Sequence, residues 1–446
     1  MSSVFHRVSD RRLPTAVSGA GAWITDEAGR RFLDASSGGV AVCALGHGHP
    51  KVSAAIRDQL DRLCYFHGSV FTTRALEELA DELGQGAPLG LNKIFFVSGG
   101  SEAIETAVML ARQFAVETGQ SSRTHLVSRY NSYHGATLTA LSLGDNTVRR
   151  APFQDMFPGT SSKVSPCYAY RDQRSDETAE AFGERLALEF EAHILERGSH
   201  SVLAFIAETV GGSSSGALVS PPGYLRKIRQ ICDRYGILLI LDEVFCGMGR
   251  TGVLHACTAE DVVPDLLAVA KGLGSGFAPI GAVFATSAIH DVIAKGSGSF
   301  KGGFTYSGHA IACAAALAVQ QVIRTENILE NVVQQGARLR SRLNDRFANH
   351  HLVGDVRGRG LLQAIELVAD RSSKAPFGSS VAARIQQESF ARGLLCLAAS
   401  GTIDGVSGDH VLLAPPFIVS EAEIDEIVSR LGDAIDAALH APLKRT

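Results

Sequence analysis

Six short apolar runs, separated by segments of helical period, constrain the fold of this chain more than any other feature. They fall at 93–97, 125–128, 203–207, 237–241, 266–270 and 280–285. Apolar residues at successive rather than alternating positions mark strands buried on both faces, the pattern of a mostly parallel sheet covered by helices. Between the runs the period changes. Segment 222–235 places Leu225, Ile228, Ile231 and Cys232 on one helical face, with Pro222 suited to the first turn and Gly236 to the stop. The run 237–241 follows at once, as in an α/β unit. Segment 101–115 aligns Ile104, Val108, Ala111 and Ala115, and Ser101 is placed to cap its first turn.

Beyond residue 325 the texture differs. Segment 328–347 reads as a long amphipathic helix, and 353–367 as strands around Gly358 and Gly360. Near the start, 23–34 reads as a hairpin turning at Asp26 and Gly29, expected to join the C-terminal part. The expected organisation is an α/β chain in which 61–325 forms a large domain with a mostly parallel sheet. Residues 1–60 and 326–446 supply a smaller α+β domain. A chain of 446 residues can bury a core in each.

Composition narrows the function. The 42 basic and 46 acidic residues are dispersed, with a net charge of -4, which argues against nucleic acid or an anionic membrane as partner. The eight cysteines show no Cys-x-x-Cys pair and no Cys/His cluster at zinc spacing, so they read as reduced thiols and no metal is expected. Residues 1–7 hold no apolar signal core, and the longest apolar stretch, 310–319, is too short to cross a bilayer; a cytoplasmic location is expected.

Four polar groups stand at the ends of the presumed strands: Arg129, Glu208, Asp242 and Lys271. In open parallel sheets that edge binds ligands. Any one of them alone is usually just a solvated strand end, but several at matching edges point to a site. Asp242 and Lys271 are the informative pair. A pyridine cofactor bearing an aldehyde needs a carboxylate to keep its ring nitrogen protonated and a lysine to hold the aldehyde. Lys271 lies between an apolar run and the glycine-rich stretch 272–276, where a buried amine of lowered pKa would act as nucleophile and proton carrier. The plainer readings are a strand-end cap for Asp242 and a surface lysine for Lys271. Ser98-Gly99-Gly100-Ser101 precedes a helix, whose free amides and dipole suit a phosphate. There is no nucleoside-triphosphate loop, and the glycines at 272, 274 and 276 make no dinucleotide fingerprint. Tyr133, in the loop after run 125–128, can stack on a flat ring or simply pack.

Seven stretches, in order, carry a resemblance. They are Phe-Phe-Val-Ser-Gly-Gly-Ser-Glu-Ala (95–103), Tyr-His-Gly (133–135), Leu-Ile-Leu-Asp-Glu-Val (239–244), Gly-Met-Gly-Arg-Thr-Gly (247–252), Ala-Lys-Gly-Leu (270–273), Phe-Thr-Tyr-Ser-Gly-His (304–309) and Ala-Pro-Pro-Phe (414–417). Their order resembles the class III aminotransferases of the fold-type I pyridoxal-phosphate superfamily, over most of the chain. The resemblance implies pyridoxal 5′-phosphate as cofactor, Lys271 as its Schiff-base lysine, Asp242 on the pyridine nitrogen and Tyr133 against the ring. It places Gly100 and Ser101 at the phosphate and puts His134, Glu208 and Val244 in the same pocket. Thr305 would reach the phosphate from a partner subunit, which implies a homodimer with shared active sites, or a tetramer built from it.

The same resemblance bears on substrate. An arginine near Gly405 binds a substrate carboxylate in many relatives, but none occurs between Arg392 and Arg430 here. Glu208 would then meet a cationic or hydroxylated substrate end, or buttress the loop. Tyr65, Phe66 and His67 resemble the aromatic wall of amine and ω-amino-acid transaminases, with core packing as the alternative. The expected reaction moves an amino group from an ω-amino acid or primary amine to a keto acid such as pyruvate, in ping-pong fashion. An aminomutase, a decarboxylating relative, and an acetylornithine or diamine aminotransferase are the alternatives within the cofactor class. Outside it stand a cofactor-binding protein without catalysis and a nucleotide-dependent oxidoreductase.

Overall fold

Three short antiparallel strands come first in the computed structural model, which describes residues 3–8 and 12–440. They are β1 (Ala16–Ala20), β2 (Trp23–Asp26) and β3 (Arg31–Asp34), the last two forming the expected hairpin. After helices Pro50–Arg62 and Arg74–Gly86 comes the central sheet. Its strands are β4 (Lys93–Val97), β5 (His125–Arg129), β6 (Ser161–Val164), β7 (Val202–Glu208), β8 (Leu238–Asp242), β9 (Leu266–Val269) and β10 (Gly281–Ala285). The spatial order is β4-β10-β9-β8-β7-β5-β6.

The sheet is mixed: β5 to β9 pair in parallel, while β10 runs antiparallel to both β4 and β9. The apolar run at 280–285 is thus not a parallel strand. Residues 270–280, between β9 and β10, form turns, Lys271–Leu273 first among them, and no α-helix, whereas a parallel neighbour needs a longer crossover, usually through a helix. Strand β6, Ser-Ser-Lys-Val, lies at the sheet edge and has no apolar run to announce it.

Both faces of the sheet are covered, which is why its strands are continuously apolar. Leu239, Leu241 and Phe205 pack with Phe182, Phe190 and Ile228 on one face. Ile240, Ile206 and Leu203 pack with Ile104, Ala107 and Ala111 on the other. The helix read at 222–235 starts at Tyr224, because Gly223 takes a left-handed φ of 76° and Pro222 stands outside it; Gly236 ends it as read. The helix Gly100–Glu117 is preceded by Gly99 and has no side-chain cap, so Ser101 lies inside its first turn rather than capping it.

The C-terminal part contains β11 (Val353–Arg359), β12 (Leu362–Leu367), β13 (Leu394–Leu395), β14 (Leu397–Ser400) and β15 (Asp409–Leu413). Four of these form an antiparallel sheet in the order β11-β12-β15-β14, and β13 pairs in parallel with β3. Leu33 and Val52 share one core with Leu339, Ile365, Val411, Ile427 and Leu431. Trp23 Nε1 donates to Glu423 at 2.8 Å, so the hairpin and the last helix, Glu421–His440, are tied together. Helix Pro50–Arg62 runs across the expected limit at residue 60. Among the described residues no helix is long and apolar enough to cross a membrane.

A buried ionic knot joins the antiparallel sheet to the segment after β6. Glu366, fully buried in β12, accepts hydrogen bonds from Tyr168 Oη (2.5 Å), Arg171 Nε (2.7 Å) and Arg357 Nη1 (2.6 Å). Arg357 also donates to the carbonyls of Ser215 and Gly216. Removing Glu366 leaves the Tyr168 hydroxyl without its acceptor and two guanidiniums without their shared carboxylate, Arg357 keeping Asp355 and two carbonyls and Arg171 the Lys374 carbonyl. Glu366→Ala is therefore expected to destabilise the protein by about 3–5 kcal/mol, read as a lower denaturant midpoint. A loss below about 1 kcal/mol would show that the knot is not held as described.

Candidate active site

The site begins with register. Glu208 and Asp242 are the last residues of β7 and β8 and are direct neighbours in the parallel ladder, which sets two carboxyl groups side by side at the carboxyl edge. Asp242 Oδ1 accepts the amide of Val244 at 2.9 Å, and its Oδ2 lies 2.8 Å from His134 Nδ1. Facing a carboxylate, Nδ1 carries the ring proton. His134 is buried and its Nε2 has no partner. A carboxylate has about four lone-pair positions, so Asp242 can still receive a protonated ring nitrogen.

Glu208 accepts the Gly212 amide at 2.8 Å. Burial pushes its carboxyl above the ordinary value; the charge of Asp242 adds to this and His134 opposes it. Arg129, read from sequence as a fourth edge group, turns away from the cavity. Its guanidinium donates to the main-chain carbonyl of Glu208 and to Cys167 Sγ.

Lys271 follows β9 with a left-handed φ of 45°, a conformation costing of order 1–3 kcal/mol for a side-chain-bearing residue. Neighbours hold it there. Ser275 N donates to the Lys271 carbonyl at 2.8 Å, and Gln320 Nε2 reaches the carbonyls of Gly272 and Leu273 at 3.3 and 2.9 Å. The ammonium lies 3.8 Å from the centroid of the Phe245 ring, and what exposure it has opens into the cavity. Burial lowers its pKa to about 8, against the upward pull of Asp242 and Glu208.

The start of helix Gly100–Glu117 faces the same space. Its first amides have no partner within a helix, and the dipole favours an anion there. A Cβ on Gly100 would lie 2.6 Å from Val244 Cγ1, so only glycine lets the helix end come this close to the loop after Asp242. Ser101 Oγ accepts the Ala136 amide at 3.0 Å, tying the helix to the Tyr-His-Gly loop.

These residues surround a cavity of about 280 Å³. Gly100, Ser101, Tyr133, His134, Glu208, Asp242, Val244 and Lys271 all line it. So do Val42, Ser213 and Phe245, which sequence reasoning missed. Phe245 directly follows Val244 and could have been included; Val42 comes from a distant loop whose only signal is Gly38-Gly39. Tyr65, Phe66 and Thr305 do not line the cavity of their own chain. Tyr65 Oη donates to the Thr305 carbonyl at 2.7 Å and its ring meets Tyr306 and His309, while Phe66 packs on Phe71. Thr305, Tyr306 and Phe66 are exposed.

The fit to pyridoxal 5′-phosphate rests on these observations: an orphaned imidazole nitrogen, a carboxylate with spare lone pairs, an amine of lowered pKa, and a helix end that a Cβ would crowd. The fold is that of a fold-type I pyridoxal-phosphate transferase. The family model described as aminotransferase class-III matches residues 5–435. An uncharacterized aminotransferase of Schizosaccharomyces pombe is 40% identical over 443 residues, covering 98% of this chain and 96% of that protein. The putrescine–pyruvate aminotransferase of Pseudomonas aeruginosa is 34% identical over 425 residues, covering 95% and 90%. An ω-transaminase from Pseudomonas jessenii, solved in complex with PMP, superposes with a TM-score of 0.90 at 34% identity, covering 96% and 93%. The chain belongs to the class III aminotransferases, which depend on pyridoxal 5′-phosphate.

Two predictions follow from this geometry. In cofactor-free protein the Lys271 ammonium is expected to titrate at about pH 8, to be checked by nitrogen NMR of labelled lysines; a midpoint near the ordinary 10.5 would contradict its burial. Between those two values the unfolded chain binds the extra proton, so this group makes stability rise with pH across the window. Separately, Gly100→Ala crowds Val244 and is expected to weaken cofactor affinity about tenfold or more, read by equilibrium titration; unchanged affinity would show that the helix end is not the cradle.

Proposed function

We propose that this protein is a transaminase that takes an amino group from an ω-amino acid or a primary amine and delivers it to a keto acid, pyruvate by default. The observation that carries this reading is the single cavity in which Lys271 faces Asp242, Glu208 and the start of helix Gly100–Glu117. When bound, pyridoxal 5′-phosphate supplies an aldehyde that condenses with amines and a ring that takes up electron density. Asp242 keeps the ring nitrogen protonated, and His134 holds Asp242 in place through Nδ1. Tyr133 stacks against the ring, with Val244 beside it, and the helix end with Gly100 and Ser101 receives the phosphate.

Lys271 does the proton work. An amine with a pKa near 8 is partly neutral close to physiological pH, so its Nζ can take the proton from the donor carbon that bears nitrogen. Its position over the Phe245 ring keeps it dry and confined. The substrate range draws support from the relatives: one acts on putrescine and pyruvate, and another is an ω-transaminase. Both names suit an amine at the end of an extended body.

We further propose a homodimer. Tyr65 meets Tyr306 and the Thr305 carbonyl, Thr305, Tyr306 and the neighbouring Phe66 are exposed, none of the four lines the cavity of its own chain, and a second copy would cover them. Thr305 would then reach the partner's phosphate site.

The test is a donor panel of ω-amino acids, primary amines, diamines and α-amino acids, with pyruvate as acceptor and alanine as readout. Expected are alanine from ω-amino acids or amines, ping-pong kinetics, and at least about a thousandfold loss in Lys271→Ala. Isomerised or decarboxylated product without any need for a keto acid would favour an aminomutase or decarboxylase and overturn the reading.

A further inference from the structure

The cavity is short of positive charge. Its lining holds two carboxyl groups, Glu208 and Asp242, and one cation, Lys271, which belongs at the reacting end. Three arginines close by are committed elsewhere. Arg129 is bonded to the Glu208 carbonyl and Cys167. Arg250 is buried against the carbonyls of Leu361 and Pro415 and the Ser37 hydroxyl, and Arg150 pairs with Asp145 at 3.2 Å.

Arg149 differs from all three. It is exposed at the end of the short helix Thr147–Arg150, and its guanidinium carbon stands 5.0 Å from the centroid of the Tyr133 ring. Tyr133 lines the cavity and Arg149 does not, so the cation sits just outside, over the ring that forms the cavity's edge. Among the described residues its guanidinium forms no ion pair and no hydrogen bond; its contact is that ring.

The backbone under Arg149 is fixed. Its amide donates to Asn146 Oδ1 at 3.0 Å. A Cβ on Gly405 would lie 2.6 Å from Thr147 Oγ1, so loop 401–408 is pressed against this helix. Asn131, two residues before Tyr133, donates to the carbonyls of Ile403 and Thr402 at 2.6 and 3.3 Å. The Tyr133 loop, the short helix and loop 401–408 therefore form one rim, and Arg149 is the rim's unpaired cation.

We propose that Arg149 determines donor specificity by binding the carboxylate at the far end of an ω-amino acid whose amine is at Lys271. The proposal rests on the transaminase reading of the same cavity. An exposed guanidinium resting on a half-buried aromatic ring is weakly held, whereas a bidentate bond to a carboxylate is stronger and directional, so the exchange is favourable. An α-amino acid carries its carboxylate on the carbon that reacts, beside Lys271, and cannot present it to the rim. Arg149 thus selects for separation between amine and carboxylate.

The test compares two donors of equal chain length, 5-aminopentanoate and pentylamine, with the holoenzyme as wild type, Arg149→Gln and Arg149→Lys, at saturating pyruvate. The ratio of kcat/KM for the amino acid over the amine is expected to fall about tenfold or more in Arg149→Gln, through KM rather than kcat, and to be partly restored in Arg149→Lys. A ratio within about twofold of wild type in both variants overturns the role of Arg149 while leaving the transaminase reading intact. Wild-type enzyme that transfers nitrogen from neither donor overturns both.

Discussion

Withdrawing an amine and two carboxyl groups from water at one sheet edge is the constraint around which this molecule is organised. Burial disfavours the charges of Lys271 and Glu208; the attraction of the amine to both carboxyls offsets part of its cost, while Asp242 repels a charged Glu208. The balance leaves Lys271 near pH 8 and lifts Glu208 above the ordinary carboxyl range. Neither the lysine nor the carboxyls could hold this arrangement on flexible loops. Parallel pairing of β7 with β8 fixes Glu208 beside Asp242, and β9, next in the ladder, delivers Lys271 to the same edge.

The strained turn at Lys271 shows how far the rest of the fold is committed to that edge. Its left-handed backbone is held by Gln320 from helix Ala310–Thr325 and by Ser275, whose hydroxyl in turn accepts the amide of Leu45. Arg250 extends the support. Burial draws its pKa down to about 9, and it spends its donors on Ser37, Leu361 and Pro415 while stacking on Phe417 at 4.5 Å. An N-terminal loop thus braces the Lys271 turn through Ser275, and Arg250 ties segments from both ends of the chain to the loop that follows Asp242.

Much of this was legible in the sequence because it depends on local pattern. Continuous apolar runs located six of the seven central strands, and a polar residue at the end of each key run located Glu208, Asp242 and Lys271. What was not legible depends on tertiary context. The direction of β10 follows from a connection that holds no crossover helix, and β6 is tied in by backbone pairing with β5 and by polar contacts such as Ser162 with His125 rather than by an apolar run. Arg129 shares the placement of Glu208 but turns to a carbonyl, a choice no spacing records. Val42 reaches the cavity from a loop far away in sequence. Tyr65, Phe66 and Thr305 stand outside the cavity of their own chain, so a motif alone could not say which site they serve.

A lowered pKa does not by itself mark the lysine that holds the cofactor. Burial also brings Lys163 to about 8, yet Lys163 donates to the Ser142 carbonyl and is outside the cavity, whereas Lys271 faces Asp242 within it. Borohydride reduction of the holoenzyme, followed by peptide mass mapping, separates the two directly. The geometry predicts one cofactor-derived mass increment per chain, on the peptide containing Lys271. An increment on Lys163 or any other lysine, or none with cofactor demonstrably bound, would contradict it.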